Sequence, residues 1–265
     1  MSDTPRAIDL SIDVPGTPEE VWHAIATGPG ISSWYVPHQV EERAGGAATA
    51  SFGPGPEMQV EGRVAAWEPP HRVVFDKGEN AGGLAFEWLV EARDGGWCVV
   101  RLVNTGFGDG GEWDDQYDAL QEGWKLFLFN LRLHLEHFRG QQAASALATH
   151  VWPGDPQTAW AGLTGALGVP AALGVGDRLD LDGGDGARLA GTVVDVADHR
   201  LALLLDTPAP GTGLVTAEGH GPCCALSVWA YLYGDDRDTL APDVYAAWER
   251  WLSVQTPTPH ETPAR

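Results

Sequence analysis

Residues 113–139, WDDQYDALQEGWKLFLFNLRLHLEHFR, carry apolar side chains at steps of three and four. Tyr117, Leu120, Trp124, Phe127, Leu131, Leu135 and Phe138 form the stripe of one long amphipathic helix. Trp113-Asp114-Asp115 place polar and acidic residues at its positive end, and Gly140 follows the last periodic position. A second set, Leu126, Phe129 and Leu133, falls on roughly the opposite side, so two surfaces of this helix require cover. Gly123 sits mid-helix, where glycine costs about 1 kcal/mol relative to alanine, and close approach to a neighbouring element is the expected reason.

Ahead of the helix the period is two. Ile8, Leu10, Ile12 and Val14 alternate with Asp9, Ser11 and Asp13, the pattern of a half-buried strand. Pro15-Gly16 stops it, and Thr17-Pro18-Glu19-Glu20 opens a short helix containing Val21, Trp22 and Ile25. Gly28-Pro29-Gly30 breaks that helix, and residues 31–35 form another turn or two. Strands are predicted near 39–43, 47–52, 58–67, 71–76, 85–92 and 97–105, with turns at Gly45-Gly46, Pro69-Pro70, residues 80–83 and Asp94-Gly95-Gly96. The economical packing is an α+β domain, a curved antiparallel sheet with the long helix laid across it.

The same grammar then recurs. "TPEEVWHAI" is echoed by "GDPQTAWAGL", "GRVAAWEPPHRVVF" by "GTVVDVADHRLALL", "WCVVRLVNTGFG" by "CCALSVWAYLYG" and "EGWKLFLFNL" by "AAWERWLSVQ". Four matches in one order make a tandem repeat. The expected division is a complete domain over 1–140, a linker over 141–150, a shortened copy over 151–255 and a disordered proline-rich tail over 256–265.

Composition narrows the classes. The 265 residues carry a net charge of −21, shared as −12 over 1–140 and −9 over 141–265. Such a balance offers no footprint for nucleic acid or an anionic membrane surface and serves solubility. No apolar run approaches the ~20 residues needed to span a bilayer, and the start lacks a secretory pattern. Three cysteines, two of them vicinal, make no disulfide framework, so a reducing cytoplasm is the expected setting. Arginine outnumbers lysine fourteen to two, which with abundant Ala, Gly and Pro points to a GC-rich bacterial genome.

The segments "IDVPGTPEEVWHAIATGPGISSWYV", "GGAATASF", "EGRVAAWEPPHRVVF", "FEWLVEARDGGWCVVRLVNTGFG" and the pair Gly123-Trp124 together span residues 6–138. In these pieces and this order the chain resembles the activator-of-heat-shock-ATPase homologue-like proteins of the START-like (SRPBCC) helix-grip superfamily. The resemblance implies a seven-stranded antiparallel sheet wrapped round a C-terminal helix, with a cavity between them, here in two tandem copies. It does not imply one function, because the superfamily includes lipid and hormone carriers, aromatic polyketide cyclases and co-chaperones. The eukaryotic co-chaperones carry a separate N-terminal domain, whereas here the fold begins within ten residues of Met1, which counts against stimulation of a chaperone ATPase.

Within that fold the side chains expected to line the cavity are Trp34, Trp67, Phe75, Trp88, Tyr117, Trp124 and Phe127. Asn104 is the expected orienting polar group, with Glu87, Asp76 and His38 as further candidates and Glu87–Arg101 as an outward cross-strand pair. The leading reading is a cofactor-free protein that binds a small hydrophobic or aromatic molecule. Two others stand beside it. One is a cyclase- or hydrolase-like activity in the same cavity. The other is a docking module, or a homodimer, using Leu126, Phe129 and Leu133 on the outer helix face. No nucleophile elbow, metalloprotease helix or phosphate loop is present. His134 and His137 have no further ligand in sequence, so no metal is expected. The aspartates of "GDRLDLDGGDG" lack the glutamate of a calcium loop and read as a hairpin turn. Cys223-Cys224 read as inert core thiols.

Overall fold

The computed structural model describes residues 6–78, 83–107, 112–219 and 223–255. The expected disordered tail, 256–265, lies outside them, as do the side chains of Trp113, Asp114 and Asp115. The chain divides into two compact units, Met1–Ala143 and Ala144–Arg265.

The first unit runs β1 (Ile8–Pro15), α1 (Pro18–Ala26), α2 (Gly28–Ser32), β2 (His38–Val40), β3 (Ala47–Ser51), β4 (Gln59–Glu68), β5 (Arg72–Asp76), β6 (Ala85–Arg93), β7 (Trp97–Thr105) and α3 (Glu112–His137). Its seven strands form one antiparallel sheet in the order β1-β7-β6-β5-β4-β3-β2, as the helix-grip resemblance implies. Trp124, Leu128, Leu131 and Leu135 of α3 share one core with Ile8, Val14, Val64, Val90 and Val100 of the sheet. Strict alternation along β4 would put Val64 and Trp67 on opposite faces. A bulge between Val64 and Ala66 shifts the phase, and both join the core.

The short helices depart from the expected break. Thr17 and Glu20 close a capping box on α1. Gly28-Pro29-Gly30 then begins α2 rather than interrupting structure, because Thr27 caps it and proline suits a first helical turn. Gly30 is required there, since a Cβ would stand 1.9 Å from the His23 carbonyl oxygen. Just past α2, Trp34 Nε1 donates to the Ala24 carbonyl at 2.8 Å, and Asn130 Nδ2 of α3 donates to the Trp34 carbonyl at 2.8 Å. These two bonds tie α1, the α2 exit and α3 together.

Gly123 does not serve close packing. A Cβ built on it meets nothing within 4 Å, so the expected approach to a neighbour is absent. His134 is buried whereas His137 is exposed, so the two imidazoles do not present a shared surface. Burial, with His23 nearby, pushes the His134 pKa down from 6.5 to about 4.

The second unit runs β8 (Ala144–Pro153), α4 (Pro156–Ala166), β9 (Arg178–Asp182), β10 (Arg188–Ala197), β11 (Arg200–Thr207), β12 (Gly211–Glu218), β13 (Cys223–Leu232) and α5 (Arg237–Gln255). Its sheet order, β8-β13-β12-β11-β10-β9, repeats the winding of the first, with the opening strand beside the last and the rest following back along the chain. Two tandem helix-grip copies are thus visible in topology. The echoed glycines Gly62 and Gly191 fall in β4 and β10, and Pro18 and Pro156 each open the helix after the first strand.

The expected linker over 141–150 is mostly strand. β8 buries Ala146, Ala148 and Trp152, and two of these three are alanines, so its period-two signal is faint in sequence. The Asp180–Asp185 segment forms the turn between β9 and β10 as read. Arg188 holds Asp180 at 2.6 Å, and Asp182 accepts from the Gly184 amide at 2.8 Å. Only Cys224 of the vicinal pair is core, since Cys223 is exposed. Glu87 pairs with Arg72 at 2.6 Å and Arg101 with Asp9 at 2.5 Å, replacing the expected Glu87–Arg101 pair.

Two outcomes are expected from this packing. Gly123→Ala should raise stability by about 0.5–1 kcal/mol, read as a higher melting temperature, because the methyl enters open space and the helix gains propensity. His134 gives an acid-sensitive term. Below the ordinary 6.5 the unfolded chain takes up a proton that the folded chain refuses until about pH 4, so stability falls across that window. The loss should approach roughly 3 kcal/mol at its lower end, and His134→Leu should flatten denaturant midpoints measured between pH 7 and pH 4.

Candidate functional site

Between the sheet and α3 of the first unit lies a cavity of about 480 Å³, inside the ~300–1,000 Å³ range of small-molecule sites. Its origin can be read residue by residue. On β3, Ala48 and Ala50 share the inner face, and Gly62 follows on β4. At 48 and 50 a filled core would carry Val or Ile. Gly62 instead keeps the strands in contact, since a Cβ there would stand 2.8 Å from the Asp76 carbonyl oxygen. The small side chains at 48 and 50 leave space that the surrounding rings do not fill.

The wall opposite is aromatic. Trp34 meets Trp88 edge-on with centroids 5.7 Å apart, and Trp88 meets Trp124 at 5.5 Å. Tyr35 lies 5.0 Å from Trp124 and 4.4 Å from Phe127. Each such pair is worth about 0.5–1.5 kcal/mol beyond its buried area, so the wall is stiff. Phe75 and Phe86 complete it from β5 and β6, while the exposed side chains Phe52 and Val60 also line it.

The polar groups divide into two sets. His38 and Tyr35 sit together, ring centroids 5.5 Å apart. Burial pulls the His38 imidazole below its ordinary pKa and pushes the Tyr35 phenol above its own, so both stay neutral near pH 7. Glu61 and Lys77 are exposed lining residues, with Asp76 beside them. Arg63 reaches Asp76 at 2.9 Å and holds its carboxyl below the usual range.

Of the seven expected lining residues and Asn104, Trp34, Phe75, Trp88 and Trp124 line this cavity. The other four do not. Trp67 packs edge-on against Trp22 of α1 at 5.0 Å. Phe127 stands behind Tyr35. Tyr117 donates to the Ala7 carbonyl at 3.0 Å and packs on Phe107. Asn104 faces inward and is fully buried, yet its Nδ2 donates to the Ala85 carbonyl at 3.0 Å, bridging β7 to β6, while its Oδ1 meets no donor among the described residues. Leu126 and Leu133 are buried and Phe129 is half-buried, so none of the three is an exposed large apolar side chain. Sequence reasoning missed Tyr35, Ala48, Ala50 and Phe86. Only Phe86 carried a signal, the period of two that it shares with Trp88 on β6.

Among the described residues, no group of three or more His, Cys, Asp or Glu side chains could hold a metal ion, and no helix is long and apolar enough to cross a membrane.

The chain is similar to several known proteins. The solved structures similar to the chain include the Aha1 dimer from Colwellia psychrerythraea, at 19% identity, covering 51% of this chain and 99% of that one with a TM-score of 0.43. The di-domain ARO/CYC BexL, from a biosynthetic pathway, is 16% identical and covers 94% of each chain with a TM-score of 0.45. DynU16, a protein of the dynemicin biosynthetic locus, is 18% identical and covers 94% of this chain and 97% of that one with a TM-score of 0.43. Comparison with curated proteins gave no match. The family described as activator of Hsp90 ATPase homolog 1-like protein matches residues 15–136, which run from the end of β1 almost to the end of α3. That match lies within the first unit, Met1–Ala143.

Proposed function

We propose that the first unit binds a small, largely aromatic molecule between its sheet and α3. The observation that carries this reading is the cavity itself, bounded by interlocking aromatic rings on one side and by Ala48, Ala50 and Gly62 on the other. Packing usually removes voids of this size, because an empty volume forfeits the contacts of its lining. Apolar walls supply affinity through burial of ligand surface, and a few polar groups supply orientation. His38 and Tyr35 fill that second role here, in place of the expected Asn104.

A second reading, proton transfer to or from a ligand in the same cavity, is favoured by one observation. His38 is a neutral imidazole on the wall, the protonation state a general base needs. The two readings separate by what happens to the ligand. A carrier returns it unchanged after prolonged incubation, and mass spectrometry of the extracted ligand reads the difference directly.

Trp34, Trp88 and Trp124 all line the cavity, so a bound aromatic should quench tryptophan emission. A panel of aromatic acids, phenols and fatty acids titrated against the full chain should contain members that quench at sub-millimolar concentration. Ala50→Leu should weaken them at least tenfold without lowering the melting temperature, because the added carbons fill the ligand's space rather than strain a packed core. A panel in which nothing quenches, or an Ala50→Leu protein that binds as well as wild type, removes the carrier reading.

A further inference from the structure

His38 is held in a single tautomer by the backbone. Its Nδ1 lies 2.7 Å from the Val36 carbonyl oxygen. A carbonyl oxygen only accepts, so Nδ1 carries the proton and Nε2 of the neutral ring is a bare acceptor. The ring's position is fixed from two further directions. The His38 amide donates to Ser32 Oγ at 2.9 Å, and that hydroxyl donates to the Gly28 carbonyl at 2.7 Å, which binds the start of β2 to α2. Tyr35 flanks the ring on the cavity wall. Among the described residues Nε2 has no hydrogen-bond partner, and it is not one of the atoms sealed off by packing. An acceptor on an aromatic wall is thus left for whatever occupies the cavity.

The charges point the same way. Asp76 and Glu61 line the cavity together with Lys77, and Arg63 is already paired to Asp76. A ligand carboxylate would meet two carboxylates and one exposed ammonium, and beside His38 it would face a lone pair. The neutral Tyr35 phenol would offer it one donor, which does not offset the lost hydration of a full negative charge beside two carboxylates.

We propose that the ligands of this cavity are neutral hydroxylated aromatics, whose O–H donates to His38 Nε2, and that aromatic and aliphatic carboxylates are rejected. This rests on the carrier reading above and adds the class of ligand to it. His38 is then the specificity-determining residue, because a ligand without the donor leaves a desolvated acceptor unpaired.

The test compares three probes of one ring system on the full chain at pH 7.5: 2-naphthol, 2-methoxynaphthalene and 2-naphthoate. Wild type should bind the naphthol about tenfold tighter than its ether, the discrimination one hydrogen bond commonly supplies, and the naphthoate most weakly. His38→Phe should keep its affinity for the ether and lose the preference, to within about twofold. Retained ether binding certifies that the variant's cavity is intact. A second measurement needs no variant. Nitrogen NMR of the wild-type imidazole should show Nδ1 protonated and Nε2 bare, with the Nε2 resonance moving on addition of naphthol but not of ether. Equal binding of naphthol and ether to wild type, a naphthoate that binds best, or an Nε2-protonated ring overturns this inference and leaves the carrier reading standing. Failure of all three probes to bind at sub-millimolar concentration, when other panel members do quench, also overturns it. If no panel member quenches either, the carrier reading falls first.

Discussion

Two hydrogen bonds at the exit of α2 hold the rest of the first unit in place. Trp34 donates its indole proton to Ala24 of α1, and its own carbonyl receives the amide of Asn130 from α3. Both groups are buried, and a buried backbone carbonyl without a donor costs about 1–3 kcal/mol, so neither partner is dispensable. Because one residue serves as donor and acceptor, three helices meet at a fixed point. The Trp34 ring is thereby oriented against Trp88, and Tyr35, the next residue, against Trp124. The cavity wall is a consequence of that junction as much as of the rings themselves.

Beyond the core, the strands hold half of the chain's fourteen arginines. Arg72–Glu87, Arg101–Asp9, Arg178–Asp206 and Arg188–Asp180 are cross-strand or near-strand pairs on exposed or half-exposed side chains. Surface pairs of this kind are individually worth no more than about 1 kcal/mol. Their larger effect is on register, since a slip of one residue would turn these charged side chains onto the apolar inner face. The net charge of −21 then resides in acids that these arginines do not neutralise.

How much was legible in the sequence depended on the strength of each local signal. β1 and α3 were readable because large apolar residues recur at the period of their element, and the family resemblance supplied their arrangement. β8 was not, because alanines at 146 and 148 bury well but read as nearly neutral. Trp67 was misplaced because a bulge shifts phase without marking the sequence, and α2 because Pro29 between two glycines looks like a break until Thr27 is recognised as its cap. The candidate site was legible only in its rings. The space came from what is missing at 48 and 50, and hydrophobic periodicity counts side chains that are present. Asn104 faced inward as alternation implies, but whether its amide is free depends on the neighbouring carbonyl, which alternation does not report.

The second unit casts the first in another light. Between α4 and β9 it has no counterpart of α2 and β2, only a connection from which Val169 and Leu173 pack onto the core. In the first unit that short stretch supplies Trp34, Tyr35 and His38 together, wall and hydrogen-bonding groups at once. β2 is the last strand of its sheet, so only one neighbour depends on it for pairing. A duplicated copy could therefore shed the whole stretch as a single block from the sheet's edge. The winding of the remaining six strands would survive the loss, which makes the cavity wall of this architecture detachable and the fold the inherited part.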